Sequence, residues 1–236
     1  MSVRTGYEIS YYSSPEGLTS ARTFRRLPRH VGFIPDGNRR WAVARGLSKE
    51  EGYLAGLAPA FQLYDLCIKL GIEEVSVYGF TKDNTHRSAV QVKAFRQATV
   101  QAVKALSSLD ADLAVIGDSS SPLFPEELRP YTKRTAFGKG LIKVNFLVNY
   151  DWKWDLEQVR PASNKEDLME RIGSHEAGRI DLVVRWGGRR RLSGFLPVQS
   201  VYADFYIVDA LWPDFKPQHF YDALEWYDGQ DVTLGG

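Results

Sequence analysis

Short apolar runs alternate along this chain with longer stretches in which apolar residues recur every three or four positions. Residues 31–34, 74–80, 113–116, 142–148, 180–184 and 205–208 are of the first kind. Their near-continuous Val, Ile and Leu content predicts strands covered on both faces. Residues 90–106 are of the second kind, with Val92, Phe95, Thr99, Ala102, Val103 and Leu106 on one helical face. Residues 53–70 also predict a helix, with Pro59 as a kink or a late start. Residues 126–133, 165–172 and 217–227 predict shorter helices. Strand and helix in alternation predict an α/β fold, with a central, mainly parallel sheet flanked by helices. In such sheets ligands bind beyond the carboxyl ends of the strands. No internal repeat or low-complexity tract interrupts the pattern.

Composition narrows the class. The 236 residues are 44% hydrophobic and 25% charged, which excludes a mostly disordered chain. Thirty Lys and Arg against 29 Asp and Glu leave a net charge of +1, so no global basic field recruits nucleic acid or an anionic membrane. Cys67 is the single cysteine, so no intrachain disulfide forms and a reducing, cytoplasmic location is expected. No apolar run is long enough to span a bilayer. Residues 1–29 lack the apolar run of a signal peptide. Their Ser, Gly and Pro content, with Arg22, Arg25, Arg26 and Arg29, predicts a solvated basic arm ahead of one domain over residues 30–236.

The candidate chemistry sits after the strands. Pro35-Asp36-Gly37-Asn38-Arg39-Arg40-Trp41 follows the first. Gly37 allows a tight turn, and Asn38 is a good N-cap for a helix over residues 39–45. A helix N-terminus with two arginines suits an anion such as phosphate. Asp36 beside that anion makes sense if a metal ion bridges them, and Mg²⁺ is the usual choice. An ordinary Asp-Gly turn with solvated arginines explains the same residues without function. Thr81-Lys82-Asp83-Asn84-Thr85-His86-Arg87 follows the second strand, and a capping loop accounts for Thr81 and Asn84. Arg87 near a helix start calls for an anion close by. Arg185-Trp186-Gly187-Gly188-Arg189-Arg190-Arg191-Leu192-Ser193 reads as a second anion site or a solvated basic loop. Asp204 stands in an apolar context and needs a partner, a metal or an arginine. The chain has no Walker phosphate loop, dinucleotide fingerprint, zinc-ligand spacing or nucleophile elbow.

These residues carry a resemblance. His30 to Ala42, HVGFIPDGNRRWA, is similar to the opening signature of the cis-prenyltransferases, the undecaprenyl diphosphate synthase family. VSVYGFTKDNTHR resembles the second motif, and DLVVRWGGRRRLSGFLPVQSVYADFY with LWPDF resembles the last two. The resemblance implies an elongated apolar tunnel and a homodimer. It implies extension of an allylic diphosphate, farnesyl or similar, by isopentenyl diphosphate, with a new cis double bond and release of diphosphate. Asp36 would be the metal-linked carboxylate, with Arg40 and Asn84 also at the chemistry and Asn84 in proton transfer. Gly37, Asn38, Arg39 and Arg40 would cradle the allylic diphosphate. Arg185, Arg191 and Ser193 would hold isopentenyl diphosphate. Trp41, Lys49, Tyr53, Thr81, Asp83, Thr85 and Arg87 complete the substrate-binding set, and Asp204 would be the second Mg²⁺ ligand.

The chain departs from the family pattern in places. Tyr53 stands where a His is usual, and Thr81, Asp83 and Thr85 replace Ser, Glu and an aromatic. Asp204 replaces a Glu, and Arg189 stands where Glu is common. Small residues at Gly79, Ala94, Ala98, Ala102 and Ala105 lean towards a medium or long product, although alanines also simply favour helix. Two other activities stay open: head-to-middle joining of two allylic diphosphates, and a non-catalytic partner or lipid-diphosphate binder of the same fold. A long apolar product favours peripheral membrane contact, and the tail Thr233-Leu234-Gly235-Gly236, which lies outside the residues described below, is a candidate for reaching a neighbouring subunit's phosphate site through its backbone N–H groups.

Overall fold

The computed structural model describes residues 7–9, 22–159 and 168–231. Strands β1 (Tyr7–Ile9) and β2 (Arg22–Phe24) form a small antiparallel ribbon. The central sheet is built from β3 (His30–Ile34), β4 (Glu74–Tyr78), β5 (Ala111–Ile116), β6 (Thr135–Ala136), β7 (Ile142–Leu147), β8 (Leu182–Trp186) and β9 (Asp204–Val208). Its order is β6-β5-β7-β4-β3-β8-β9, and every pairing except β5 with β6 is parallel. The helices are α1 (Asn38–Ala44), α2 (Glu51–Ala55), α3 (Leu57–Lys69), α4 (Ala89–Leu106), α5 (Trp152–Glu157) and α6 (Pro217–Asp228).

Both sheet faces are buried, which is why the strands read as continuous apolar runs. Leu182, Val184 and Trp186 of β8 point into the core beneath α3, α4 and α6, while Val183 joins Ile180, Phe195 and Leu196 on the other face. Pro59 lies in the first turn of α3, so the expected late start is realised and the predicted helix divides at Gly56. The predicted helix over residues 126–133 is a 3-10 turn, Glu126–Tyr131. Of the helix expected over residues 165–172, the first part lies outside the described residues, and Leu168–Glu170 is a 3-10 turn. Pattern reading also missed β6 and α5, which are two and six residues long.

The segment leading into β3 is docked in part rather than wholly solvated: Arg25 and Arg29 stay 80% exposed, but Phe24 and Arg26 do not. Phe24 is buried in the core. Arg26 donates from Nη2 to the carbonyls of Tyr227 (2.7 Å) and Gln230 (2.9 Å), and its N–H reaches Asp228. A cation there satisfies orphan carbonyls at the end of α6 and opposes the helix dipole.

A buried polar network registers the amino ends of the strands. His30 on β3 faces the Gly178 and Arg179 carbonyls through Nδ1 and Ser76 on β4 through Nε2 (2.9 Å). Two carbonyls at Nδ1 place the proton there, so Nε2 accepts from the Ser76 hydroxyl. Asn145 on β7 donates to Ser76 (3.0 Å) and to Glu74 (2.6 Å). Burial lowers the His30 pKa, outweighing the pull of nearby Glu74. A histidine kept neutral by folding leaves the unfolded chain binding the extra proton, so its contribution is lost as pH falls below its ordinary value of 6.5. The urea midpoint should therefore drop from pH 6.5 to about pH 5 more steeply in the wild type than in His30→Gln. Equal slopes would place the acid sensitivity elsewhere.

Candidate active site

Strand order decides where the site lies. β3 has β4 on one side and β8 on the other, so the connections diverge at β3 and leave a crevice beyond its carboxyl end. Three segments meet there: the residues after β3, those after β4, and the end of β8 with the turn beyond. The result is a polar cleft of about 420 Å³.

Asp36 and Arg185 form its centre. β3 and β8 pair Ile34 opposite Arg185, which sets the carboxylate two residues past β3 beside the guanidinium. Arg185 Nη2 donates to Asp36 Oδ2 at 2.7 Å. Its Nη1 donates to Ser193 Oγ at 2.9 Å and to the Arg191 carbonyl. The Arg185 side chain is only 4% exposed, whereas Asp36 is 33% exposed and faces the cleft. Arg185 Nε is buried with no hydrogen-bond partner among the described residues. Arg185 itself is a β8 residue, not part of the loop that follows.

Arg40 closes the other side. Its Nη2 donates to the Gly187 carbonyl at 2.8 Å and lies 3.6 Å from Asp36 Oδ1. Gly187 has φ 87°, and a Cβ there would fall 2.5 Å from Arg40 Nη2 and 3.0 Å from the Asp36 carbonyl oxygen. The N-cap of α1 is Gly37, not Asn38. Asn38 starts the helix and donates to the Pro35 carbonyl instead, since φ 111° at Gly37 already makes the turn that an asparagine cap would have served.

After β4, Asn84 Oδ1 accepts from the Thr81 N–H at 3.1 Å, so the capping expected of this loop is present and also orients Asn84 in the cleft wall. Arg87 leaves the loop and donates to the Tyr53 hydroxyl at 2.9 Å. The Tyr53 ring stacks on Phe95 of α4, with centroids 4.6 Å apart and planes within 3°. Burial lowers the Arg87 pKa, with Tyr53 and Asp36 opposing that shift.

Of the sequence-selected residues, Asp36, Gly37, Asn38, Arg39, Arg40, Tyr53, Thr81, Asp83, Asn84, Arg87, Arg185, Arg191 and Ser193 line this one cleft. Four do not. Trp41 donates from Nε1 to Asp214 (2.7 Å) and pins α1 to the 3-10 turn Trp212–Asp214. Lys49 is exposed in the turn before α2. Thr85 spends its hydroxyl on the Lys82 carbonyl (2.6 Å). Asp204 opens β9 opposite Leu182, at the amino end of the sheet, while the cleft lies at the carboxyl end. Parallel register keeps those ends apart, so one chain does not bring Asp204 to Asp36. Burial raises the Asp204 pKa, and Arg26 opposes this. Arg189 joins the lining, so six arginines face Asp36 and Asp83. Such an excess of positive charge in a crevice draws in anions. Tyr78 also lines the cleft, and as the last residue of a strand it carried no local signal.

Behind the cleft lies an apolar chamber of about 110 Å³, walled by β3, β4, β7, α3 and α4. Asn38, Tyr53, Tyr78, Gly79 and Phe95 line both spaces, so they adjoin. Phe95, Ala98, Thr99, Ala102 and Leu106 line it along α4, a run of about 16 Å at the helical rise. Ala94 and Ala105 are not in its wall. Gly79 is small for a packing reason, because a Cβ there would lie 2.6 Å from the Phe146 ring and 2.7 Å from the Leu147 carbonyl oxygen.

A polar, arginine-rich cleft opening onto an apolar chamber suits a molecule with an anionic head and a hydrocarbon tail, and comparison with known proteins identifies the class as prenyl-diphosphate enzymes. Residues 34–235 match the family model described as putative undecaprenyl diphosphate synthase. The ditrans,polycis-undecaprenyl-diphosphate synthase ((2E,6E)-farnesyl-diphosphate specific) of Yersinia pseudotuberculosis is 34% identical over 94% of this chain and 96% of its own length. The synthase of the same name from Escherichia coli K12 is 35% identical over 88% and 90%. The crystal structure of lavandulyl diphosphate synthase from Lavandula x intermedia, in complex with dimethylallyl diphosphate, shares the fold. Its TM-score is 0.78 at 24% identity, over 89% of this chain and 99% of that one. The chain belongs to the undecaprenyl diphosphate synthase family of cis-prenyltransferases and is a prenyltransferase.

Gly187→Ala tests the centre of the site. The forced φ and the contact with Arg40 should lower stability by about 1–3 kcal/mol and weaken binding of inorganic diphosphate, read by urea denaturation and calorimetry.

Proposed function

We propose that this protein condenses isopentenyl diphosphate with an allylic diphosphate such as farnesyl diphosphate, giving a cis-polyprenyl diphosphate. The observation that carries the reading is the shared wall: an arginine-rich cleft sized for diphosphates opens directly onto an apolar chamber that takes the hydrocarbon. The allylic C–O bond breaks, diphosphate leaves with the electron pair, and the isopentenyl double bond attacks the freed carbon. A proton then leaves the former isopentenyl unit to form the new double bond.

Each part has residues suited to it. Arg39, Arg40 and the free N–H groups of the first turn of α1 are assigned to the allylic diphosphate. Arg185, Arg191 and Ser193 are assigned to isopentenyl diphosphate. Holding both substrates turns a bimolecular encounter into an intramolecular one. Asn84, fixed by the Thr81 N–H, is the polar group assigned to the departing proton. Phe95 and Tyr53 keep water from the allylic carbon.

The cleft also suits Mg²⁺ in one particular way. Among the described residues no group of three or more His, Cys, Asp or Glu gathers that could hold a metal ion. Mg²⁺ is commonly held by one or two carboxylates with substrate phosphates, and Asp36 is the partly exposed carboxylate in place for that. Bound there with the diphosphate, the ion would supply Lewis-acid stabilisation of the leaving group. Asp204 is not part of this assignment.

We further propose a homodimer that pairs or covers the β9 edge, where Val201 and Tyr202 are 65% and 61% exposed. Among the described residues no helix is long and apolar enough to cross a membrane. Cys67, buried and with its pKa raised by burial, suits a reducing, cytoplasmic setting. Ala98 and Ala102 put small side chains on the α4 wall of the chamber, and the assignment of a medium or long product rests on them.

The test supplies labelled isopentenyl diphosphate with dimethylallyl, geranyl or farnesyl diphosphate and sizes the products by mass. A ladder in isoprene units is expected. Product from dimethylallyl diphosphate alone would instead favour head-to-middle joining, for which Tyr53 and Arg189 in the cleft are the motivating residues. Asp36→Asn should cut turnover about 100-fold or more, while the thermal melt stays cooperative at a lower midpoint because Arg185 loses its carboxylate. Ala102→Leu, on the chamber wall, should shorten the longest product by at least one isoprene unit.

A further inference from the structure

Tyr78 ends β4 and takes no part in the assignments above. Its ring sits where the polar cleft meets the apolar chamber and lines both. Phe195 packs against it at 5.2 Å and Tyr150 meets it edge-on at 6.4 Å, so the ring has one place to be. From there its hydroxyl donates to the Ser193 carbonyl at 2.8 Å, across 115 residues of sequence.

Ser193 is an unusual acceptor. Its φ is 55°, the left-handed region that a residue with a side chain enters at a cost. Residues 188–191 ahead of it are exposed, while Leu192 and Phe195 on either side pack into the core and leave the Ser193 carbonyl and hydroxyl to polar partners. Two contacts hold Ser193 from outside. Arg185 donates to its hydroxyl, and Tyr78 donates to its carbonyl. Burial raises the Tyr78 pKa, so the phenol remains a donor at neutral pH.

We propose that Tyr78 is a positioning residue for this reaction: its hydroxyl holds the Ser193 turn in its left-handed form and so aims Ser193 Oγ and Arg185 at one diphosphate. The inference rests on the assignment of that side of the cleft to isopentenyl diphosphate. It adds the residue that shapes the subsite without touching the anion. Tyr78 also belongs to the chamber wall, so the geometry ties placement of the diphosphate to the wall that the hydrocarbon passes.

Tyr78→Phe keeps the ring and removes only the hydroxyl. KM for isopentenyl diphosphate should rise about tenfold, with kcat and KM for the allylic diphosphate changing less than about twofold. Ser193→Gly supplies the matching background, because glycine adopts positive φ without the Cβ penalty. In that background Tyr78→Phe should add less than about twofold, the non-additivity expected of coupled residues. An unchanged KM, an equal rise for both substrates, or the same tenfold effect in both backgrounds would overturn the proposal. Calorimetry with inorganic diphosphate separates this from the activity reading. A wild type that binds diphosphate but transfers no prenyl group would overturn the proposed reaction, while a Tyr78→Phe variant with undiminished affinity for isopentenyl diphosphate would overturn the role of Tyr78.

Discussion

The ion pair between Asp36 and Arg185 organises the site. Arg185 is almost wholly buried, and a buried guanidinium without a carboxylate would be strongly destabilising. The pair forms because β3 and β8 are neighbours in register, with Ile34 opposite Arg185. Much else follows from it. Arg185 reaches on to Ser193 and Arg191, Arg40 comes to the far side of Asp36, and the turn at Gly187 passes close enough to accept from Arg40. One buried cation therefore ties together the ends of two strands, a helix start and a surface turn.

The rest of the molecule keeps that arrangement rigid from the opposite end. The His30, Ser76, Asn145 and Glu74 network spans β3, β4 and β7 at their amino ends. A second buried cluster, in which Tyr150 and Ser174 both donate to Asp155, ties α5 to the segment that runs into β8. Satisfied polar groups of this kind specify register more sharply than apolar contact alone, because a slip would leave them unpaired in a low dielectric. The carboxyl ends, by contrast, keep their charge exposed to the cleft.

Cleft and chamber divide the chemistry between charge and hydrocarbon, and aromatic rings mark the boundary. Tyr53 stacks on Phe95, Arg87 lies against both, and Tyr78 stands across from them as part of both walls. With Tyr53 in place of a histidine, the junction carries a phenol that accepts from Arg87 and leaves its own proton free to donate.

Much of this was legible in the chain. Buried parallel strands announce themselves by continuous apolar runs, and α4 by its repeat, because each depends on neighbours within a few residues. The segments after β3 and β4 read as candidate sites because glycine, amide and arginine cluster there over a short span. The sequence was misleading where partners are distant. Arg26 looked solvated until α6 presented its carbonyls. Asp204 reads as a partner of Asp36, but parallel register sets it at the amino end of β9, away from Asp36 of the same chain. Tyr78 gave no sign, since its acceptor lies 115 residues away. The sequence by itself determined the α/β class, the family and most of the residues that line the cleft, because local patterns and short motifs carry them. Only the tertiary structure decided which charges pair, which residues merely cap or pin a turn, and where cleft meets chamber. Those outcomes depend on strand order and register, and neither is written in any one segment.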